Sequence, residues 1–176
     1  GIKAWQGNKA VGPQDLGLHI FSDVENPCDV LKIAYSLEQG LREFYLRMEK
    51  ESERKEVKSL FAKLAKIEIK HQEEILAAYG DYCTEPADRQ AFELEVETHA
   101  MEGGLSTEEY LALFDPDLSS EKDVISLTMS IEAQAHDLYM RLGARLENIQ
   151  AKEAVNKIAN DEKKHLESLG RLMDSL

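Results

Sequence analysis

The chain has 176 residues, of which 21 are basic and 34 are acidic, and its formal net charge is −13. This length suffices for one domain with a sizeable core, and the negative charge argues against nucleic acid or an anionic membrane as partner. No apolar run approaches the roughly 18 residues of a membrane span, and no signal peptide is visible.

The chain has two cysteines, Cys28 and Cys83, and no Cys-x-x-Cys pair. This count excludes a rubredoxin-type or zinc-ribbon metal site and provides no disulfide framework. A reducing cytoplasmic setting is therefore the expected location.

Residues 1–26 hold four of the ten glycines and lack helical periodicity. The chain begins at Gly1 rather than Met, which favours a fragment or a processed form. Residues 1–7 read Gly-Ile-Lys-Ala-Trp-Gln-Gly and resemble the closing helix of rhodanese (sulfurtransferase) domains. That resemblance implies an upstream rhodanese domain with residues 8–25 as linker. The alternative is a disordered leader with an incidental tryptophan.

A first long helix is predicted to begin at Asn26, a favoured N-cap residue that is followed by Pro27 in the first turn. Apolar residues then recur at three- and four-residue steps. They are Leu31, Ala34, Leu41, Tyr45 and Met48. The polar stretch around Ser52 predicts a tight turn. A second helix is predicted from about Arg54 to Ala78, with Gly80 ending it.

Residues 80–120 are rich in Gly, Pro, Asp and Ser, and they predict a connection with short helices at 86–100 and 107–113. A third long helix is predicted from about Glu121 to Glu147. A fourth is predicted from about Gln150 to Met173, after a turn near Asn148.

One pattern occurs twice: a Glu, and then a Glu-x-x-His 30 residues later. Its members are Glu38, Glu68 and His71 in the first copy, and Glu132, Glu162 and His165 in the second. The spacings are equal, since 68 − 38 = 30 and 162 − 132 = 30, and one offset of 132 − 38 = 94 relates the copies. Two homologous hairpins joined by a long connection predict an all-α, ferritin-like four-helix bundle with one crossover, in which the second and third helices are parallel.

The glutamates are expected at one level of this bundle. In an antiparallel hairpin, residues equidistant from the turn lie at the same height. The midpoint of the two glutamates lies beside Ser52 in the first copy and beside Asn148 in the second, and composition independently places a turn at both points. Each glutamate also lies on an apolar stripe that faces the core.

Four ionised carboxylates in an apolar core would repel one another and lose their hydration. Two divalent cations would balance four negative charges. His71 and His165 each follow a glutamate by one helical turn, so each can ligate the same metal. Carboxylates with one imidazole per metal suit iron or manganese and differ from a closed structural zinc site. The alternative is a duplicated bundle that has kept its ligand types but lost its metal.

Tyr45 and Tyr139 follow Glu38 and Glu132 by seven residues on the same helical face. Each phenol could donate a hydrogen bond to a ligating carboxylate of the opposite hairpin; the alternative is an ordinary core aromatic. His136 follows Glu132 by four residues and is typical of a helix flank; the alternative is that it approaches the site. His99 and His19 are expected at the surface.

This arrangement resembles the rubrerythrin branch of the ferritin-like superfamily over about residues 27–175, and 27–176 is taken as one domain. The resemblance implies bridging roles for Glu68 and Glu162, terminal roles for Glu38 and Glu132, and one metal each for His71 and His165. Rubrerythrins often add a glutamate from the connection between the hairpins. Glu93, Glu97 and Glu102 are the candidates, with Glu97 and Glu102 preferred, and the alternative is solvated loop acids.

The expected function is that of a di-iron carboxylate redox enzyme that reduces hydrogen peroxide, or less readily dioxygen, in oxidative-stress defence. A carboxylate or a tyrosine such as Tyr45 or Tyr139 would manage protons. The rubredoxin module is absent, so an external electron donor is expected, and the resemblance makes a homodimer the expected assembly. The alternatives are an iron-oxidising or iron-binding protein and an accessory domain of a sulfurtransferase.

Overall fold

A computed structural model describes residues 18–21, 26–83, 92, 96 and 106–174. These residues form five α-helices and one short 3-10 helix, with no strand among them, which confirms the all-α prediction. The helices are α1 (Pro27–Glu51), α2 (Lys55–Tyr82), α3 (Thr107–Phe114), α4 (Glu121–Arg145) and α5 (Ile149–Asp174), preceded by the 3-10 helix Leu18–Phe21. None of them is both long and apolar enough to cross a membrane. The rhodanese-like residues 1–7 and most of the predicted helix 86–100 lie outside the described residues.

Both hairpins form where the sequence predicts them. Asn26 caps α1 by accepting a 2.9 Å hydrogen bond from the backbone N–H of Cys28. At the other end, the Ser52 hydroxyl donates to the Met48 carbonyl at 2.6 Å, which closes α1 at the turn. The second turn covers residues 146–148 between α4 and α5. Each hairpin is therefore a pair of long helices with a very short connection.

Helix α2 continues through Gly80, so the prediction that this glycine ends the helix was wrong. The helix ends at Tyr82, and the backbone N–H of Cys83 donates to the Tyr79 carbonyl at 2.9 Å. A glycine inside a helix costs only about 1 kcal/mol relative to alanine. The remaining backbone hydrogen bonds of α2 are sufficient to extend the helix past it.

Cys28 and Cys83 form a disulfide, so the prediction that the cysteines provide no disulfide framework was wrong. The bond joins the first turn of α1 to the residue after α2, at the open end of the first hairpin. The two antiparallel helices bring the Cα atoms within 6.0 Å, which is the usual separation for a disulfide.

The two hairpins pack with α2 and α4 parallel, as the repeat predicts. Arg54 at the start of α2 lies 3.5 Å from Glu121 at the start of α4. The crossover helix α3 is fixed to both hairpins: Tyr110 donates to Gln134 of α4 at 3.3 Å, and Glu108 pairs with Arg47 of α1. Helix α3 therefore packs against the bundle between α1 and α4.

The apolar core consists of two clusters that meet at the level of the predicted site. One cluster lies at the disulfide end and contains Phe21, Leu37 and Ala135. The other lies at the opposite end and contains Leu41 and Ala133. Glu38 follows Leu37, and Glu132 precedes Ala133, so the polar layer lies at the boundary between the clusters. Phe21 is 5% exposed, so this part of the predicted linker packs against the bundle.

Candidate metal centre

Four buried glutamates, one from each long helix, meet in the middle of the bundle. All four have no exposed surface, and His71 is 4% exposed. The six residues that the structure brings together are Glu38, Glu68, His71, Glu132, Glu162 and His165. Within them, three triads each place their candidate ligand atoms within 4.8 Å of one another. All six residues of the repeated pattern thus converge on one place.

The two imidazoles lie side by side on the side of the cluster formed by α2 and α5. Nδ1 of His71 lies 3.0 Å from Glu38 Oε2, 3.1 Å from Glu68 Oε2 and 3.3 Å from Glu162 Oε1. Nδ1 of His165 lies 3.4 Å from an oxygen of Glu132 and 3.4 Å from one of Glu162. The rings stack with centroids 4.7 Å apart. His71 therefore directs a nitrogen to carboxylates of both hairpins, and His165 directs one to the two carboxylates of the second hairpin.

Two tyrosines connect the hairpins through the same carboxylates. Tyr139 Oη donates to Glu38 Oε1 at 2.9 Å, and Tyr45 Oη donates to Glu132 Oε1 at 3.2 Å. Both hydrogen bonds cross to the opposite hairpin, as the sequence predicts, and the offset of 94 relates one to the other. Because each tyrosine occupies Oε1, Oε2 of each carboxylate is left facing the histidines. A part for these tyrosines in catalysis remains a prediction.

Two of the carboxyl groups have raised pKa values. Burial raises the pKa of Glu68 well above its ordinary value; a hydrogen bond with His71 opposes this, and the charge of Glu38 adds to it. Burial likewise raises the pKa of Glu162, and the charge of Glu132 adds to the effect. A cation bound between these groups would take the place of their protons.

The other two carboxyl groups have lowered pKa values. Burial acts to raise the pKa of Glu38, but the charge of His71 and the hydrogen bonds around the carboxylate outweigh it. For Glu132 the same effect of burial is outweighed by its contacts with Glu162 and His165. Each hairpin thus contributes one readily ionised carboxyl group and one that resists ionisation.

The His71 imidazole is held in its protonated form by the cluster. Burial lowers its pKa, but the charge of Glu38 and the hydrogen bonds to Glu38 and Glu68 prevail and raise the pKa to about 11. A protonated imidazole cannot ligate a metal through that nitrogen, so a cation at this site must displace a proton.

Several buried atoms of the cluster have no hydrogen-bond partner among the described residues. They are Glu68 Oε1, Glu132 Oε2, both carboxylate oxygens of Glu162, and His165 Nδ1. Buried polar atoms are normally paired, and an unpaired one destabilises the fold. These atoms are all metal-ligand types, and two divalent cations would both pair them and balance the four carboxylates. The residues therefore fit a pair of iron or manganese ions.

Other residues considered from the sequence lie elsewhere. His136 Nδ1 donates to the Ala159 carbonyl of α5 at 2.8 Å, so this histidine links two helices and is outside the cluster. Glu93, Glu97, Glu102 and His99, and the side chain of His19, lie outside what the structure describes.

Sequence reasoning did not single out Asp161, which lies at the outer edge of the cluster. Burial acts to raise the pKa of Asp161, but Lys164, the charge of His71 and a contact with Glu74 together lower it. The first copy has Ile67 at the equivalent position, since 161 − 94 = 67, so the repeat provides no signal for this residue.

A cavity of about 300 Å³ opens between α2 and α5. Its lining includes Ile75 and Ile158, which lie one helical turn from His71 and Glu162. Lys157 and Glu74, 3.4 Å apart, also line it. None of the six clustered residues lines this cavity.

Comparison with known proteins supports the same interpretation. A family model described as Rubrerythrin matches residues 29–173, which include all six clustered residues and both tyrosines. No curated protein and no solved structure matches the chain.

Proposed function

The chain belongs to the rubrerythrin family, and from that premise we propose that it is a di-iron carboxylate enzyme that reduces hydrogen peroxide, or less readily dioxygen, in oxidative-stress defence. The observation that carries the proposal is the layer of four buried glutamates, buried His71 and partly buried His165, in which several ligand atoms are unpaired. A purely structural polar layer would pair these atoms within the protein.

The family resemblance implies that all six residues of the layer would hold the two ions. Glu68 and Glu162 would be shared between them, Glu38 and Glu132 would each serve one, and His71 and His165 would complete the set. Two ferrous ions would supply the two electrons that cleave the O–O bond, and their charge would polarise the oxidant.

The protein itself orients the carboxylates and excludes water. Tyr139 fixes Oε1 of Glu38 and Tyr45 fixes Oε1 of Glu132, so both terminal carboxylates are held before any ion binds. Reduction of peroxide to two waters consumes two protons. The tyrosine hydroxyls and the raised-pKa carboxyls of Glu68 and Glu162 are the proton-bearing groups next to the layer.

The experiment is stopped-flow absorbance of the anaerobic chain carrying two Fe(II) ions, mixed in parallel with peroxide and with dioxygen. We expect a faster ferric signal with peroxide, and we expect Glu38→Ala and His71→Ala to abolish it. His136→Ala is the matched control, since it removes a histidine of α4 that lies outside the cluster. A full rate in His71→Ala would refute the proposal.

A second candidate function uses the same layer: oxidation and handling of iron. A faster signal with dioxygen than with peroxide would favour it. Storage would additionally require a cage of many subunits, whereas we propose a homodimer, and size-exclusion chromatography with light scattering distinguishes the two.

The electron donor, the location and the upstream neighbour are also proposals. We propose an external donor and a cytoplasmic location. We further propose an upstream rhodanese domain, which would make the bundle its redox accessory. The reading frame before Gly1 tests this last point, because a rhodanese with an active-site cysteine supports it and a stop codon rejects it.

A further inference from the structure

The disulfide lies on the two helices that carry the first hairpin's ligands. Cys28 precedes Glu38 on α1 by 38 − 28 = 10 residues, and Cys83 follows His71 on α2 by 83 − 71 = 12 residues. At about 1.5 Å per residue, the sulfur atoms lie about 15–18 Å along the helices from the metal centre. Both cysteines are half-buried, so they are neither sealed in the core nor fully exposed.

Three buried aromatic rings lie between the disulfide end and the cluster. Tyr79 lies one turn before Cys83, its ring centroid is 4.7 Å from that of Phe92, and the Phe92 centroid is 4.9 Å from that of Tyr35. Tyr35 is three residues before Glu38. All three rings are at most 5% exposed, and both cysteines pack against the core cluster that contains them. Buried aromatic rings therefore occupy part of the space between the sulfurs and the carboxylates.

We propose that Cys28 and Cys83 are a redox-active pair that supplies electrons to the metal centre, so that the chain is a thiol-dependent peroxide reductase. This inference rests on the proposed function and identifies its reductant. The two thiols lose two protons and two electrons and form the S–S bond. These electrons would restore the reduced state of the metal pair that the four glutamates and two histidines would hold, and the protons would enter the two waters. The net reaction is one peroxide and two thiols to one disulfide and two waters.

An external thiol would then regenerate the pair by thiol–disulfide exchange at a half-buried sulfur. These are the two cysteines of the sequence, and the disulfide joins them to each other. In a reducing compartment, protein disulfides are usually transient and catalytic or redox-sensing. The pair would thereby serve as the immediate electron donor to the centre.

The experiment measures how many thiols each chain loses for each peroxide that it consumes. The reduced chain is loaded anaerobically with two Fe(II) ions, freed of reductant and titrated with hydrogen peroxide, and the remaining thiols are counted by alkylation and mass spectrometry. We expect each chain to consume two peroxides, to lose both thiols with the first, and to retain a lasting ferric signal only after the second. A lasting ferric signal after one peroxide, with both thiols intact, would overturn the inference and leave the proposed function standing. Absence of any iron oxidation would overturn both.

A zinc-loaded chain is the matched control for direct attack of peroxide on the thiols. It keeps the dithiol but has no redox-active metal, and we expect its thiols to persist on the same timescale. Equally fast loss would overturn the inference. The double variant Cys28→Ser/Cys83→Ser should consume one peroxide per chain and oxidise its iron at the normal rate. If that variant does not fold, the comparison of iron-loaded and zinc-loaded natural chain still decides the question.

Discussion

The hydroxyl of Tyr139 donates a 2.9 Å hydrogen bond to Glu38, a residue 101 positions earlier on the other hairpin. Both groups are fully buried. The bond therefore connects the packing of the two hairpins to the orientation of a candidate metal ligand, so a change to the tyrosine should affect both stability and metal binding.

Replacing Tyr139 with Phe should weaken metal binding by about 10–100-fold, because Glu38 loses the donor that orients it. Titration with Fe(II) or Mn(II) under anaerobic conditions measures this. Tyr110→Phe is the matched control, since it removes another buried tyrosine hydroxyl that donates to Gln134 outside the cluster. Both variants should lose about 1–3 kcal/mol of stability. Equal metal affinities in the two variants would contradict the prediction.

The metal-free chain should become less stable as the pH rises from about 6.5 to 9. The pKa of His71 is raised from 6.5 to about 11, so over this range the folded chain holds a proton that the unfolded chain releases. The stabilisation that this proton provides is complete below 6.5, the pKa of His71 in the unfolded chain, and it is lost as the pH rises toward 11. Burial raises the pKa of Glu68 and Glu162 and acts in the same direction. Over this range the proton on His71 contributes up to about 1 kcal/mol per pH unit.

Urea unfolding with a chelator present, at several pH values, measures this dependence. His71→Gln should give a shallower slope than the natural chain. Stability that increases with pH over the same range would show that the imidazole is not held protonated.

Removing the disulfide with Cys28→Ser and Cys83→Ser should lower the free energy of unfolding by about 2–5 kcal/mol. The bond closes a sequence separation of 55 residues, so it strongly restricts the unfolded chain. Urea unfolding with and without a reductant provides the control. The reductant should destabilise the natural chain by a similar amount and leave the double variant unchanged. A double variant as stable as the oxidised natural chain would contradict the prediction.

Gly170→Ala should stabilise the fold by about 0.5–1 kcal/mol. The residue lies inside α5 and has open space where a Cβ would stand, so alanine gains helix propensity without a clash. Gly143→Ala is the matched comparison in α4, where the new Cβ would lie 2.5 Å from Asn156 Oδ1 and 3.3 Å from its Cγ. In thermal unfolding, the midpoint temperature of Gly170→Ala should be higher than that of the natural chain. The midpoint of Gly143→Ala should be lower than that of Gly170→Ala.

Much of this structure could be predicted because its sequence repeats. Glu38 and Glu132 each lie 30 residues before the glutamate of the following helix, and this equal spacing fixes the height of the layer in the bundle. Tyr45 and Tyr139 each follow those first glutamates by seven residues, which places them on the same helical face as the glutamate. The disulfide could not be found in this way, because the second copy has no cysteines to repeat. The end of α2 also depends on tertiary contacts, since Gly80 lowers local helix propensity but does not by itself end the helix.

The two cross-hairpin hydrogen bonds have a consequence for how such a bundle can arise. Tyr45 gives Glu132 what Tyr139 gives Glu38, and one offset relates the two contacts. Each hairpin thus receives the same interaction that it provides, as identical subunits do across an isologous, twofold interface. A single hairpin with one tyrosine, two glutamates and one histidine holds half of the centre. Two copies of it would complete the centre by pairing, and the connection through α3 makes that pairing intramolecular.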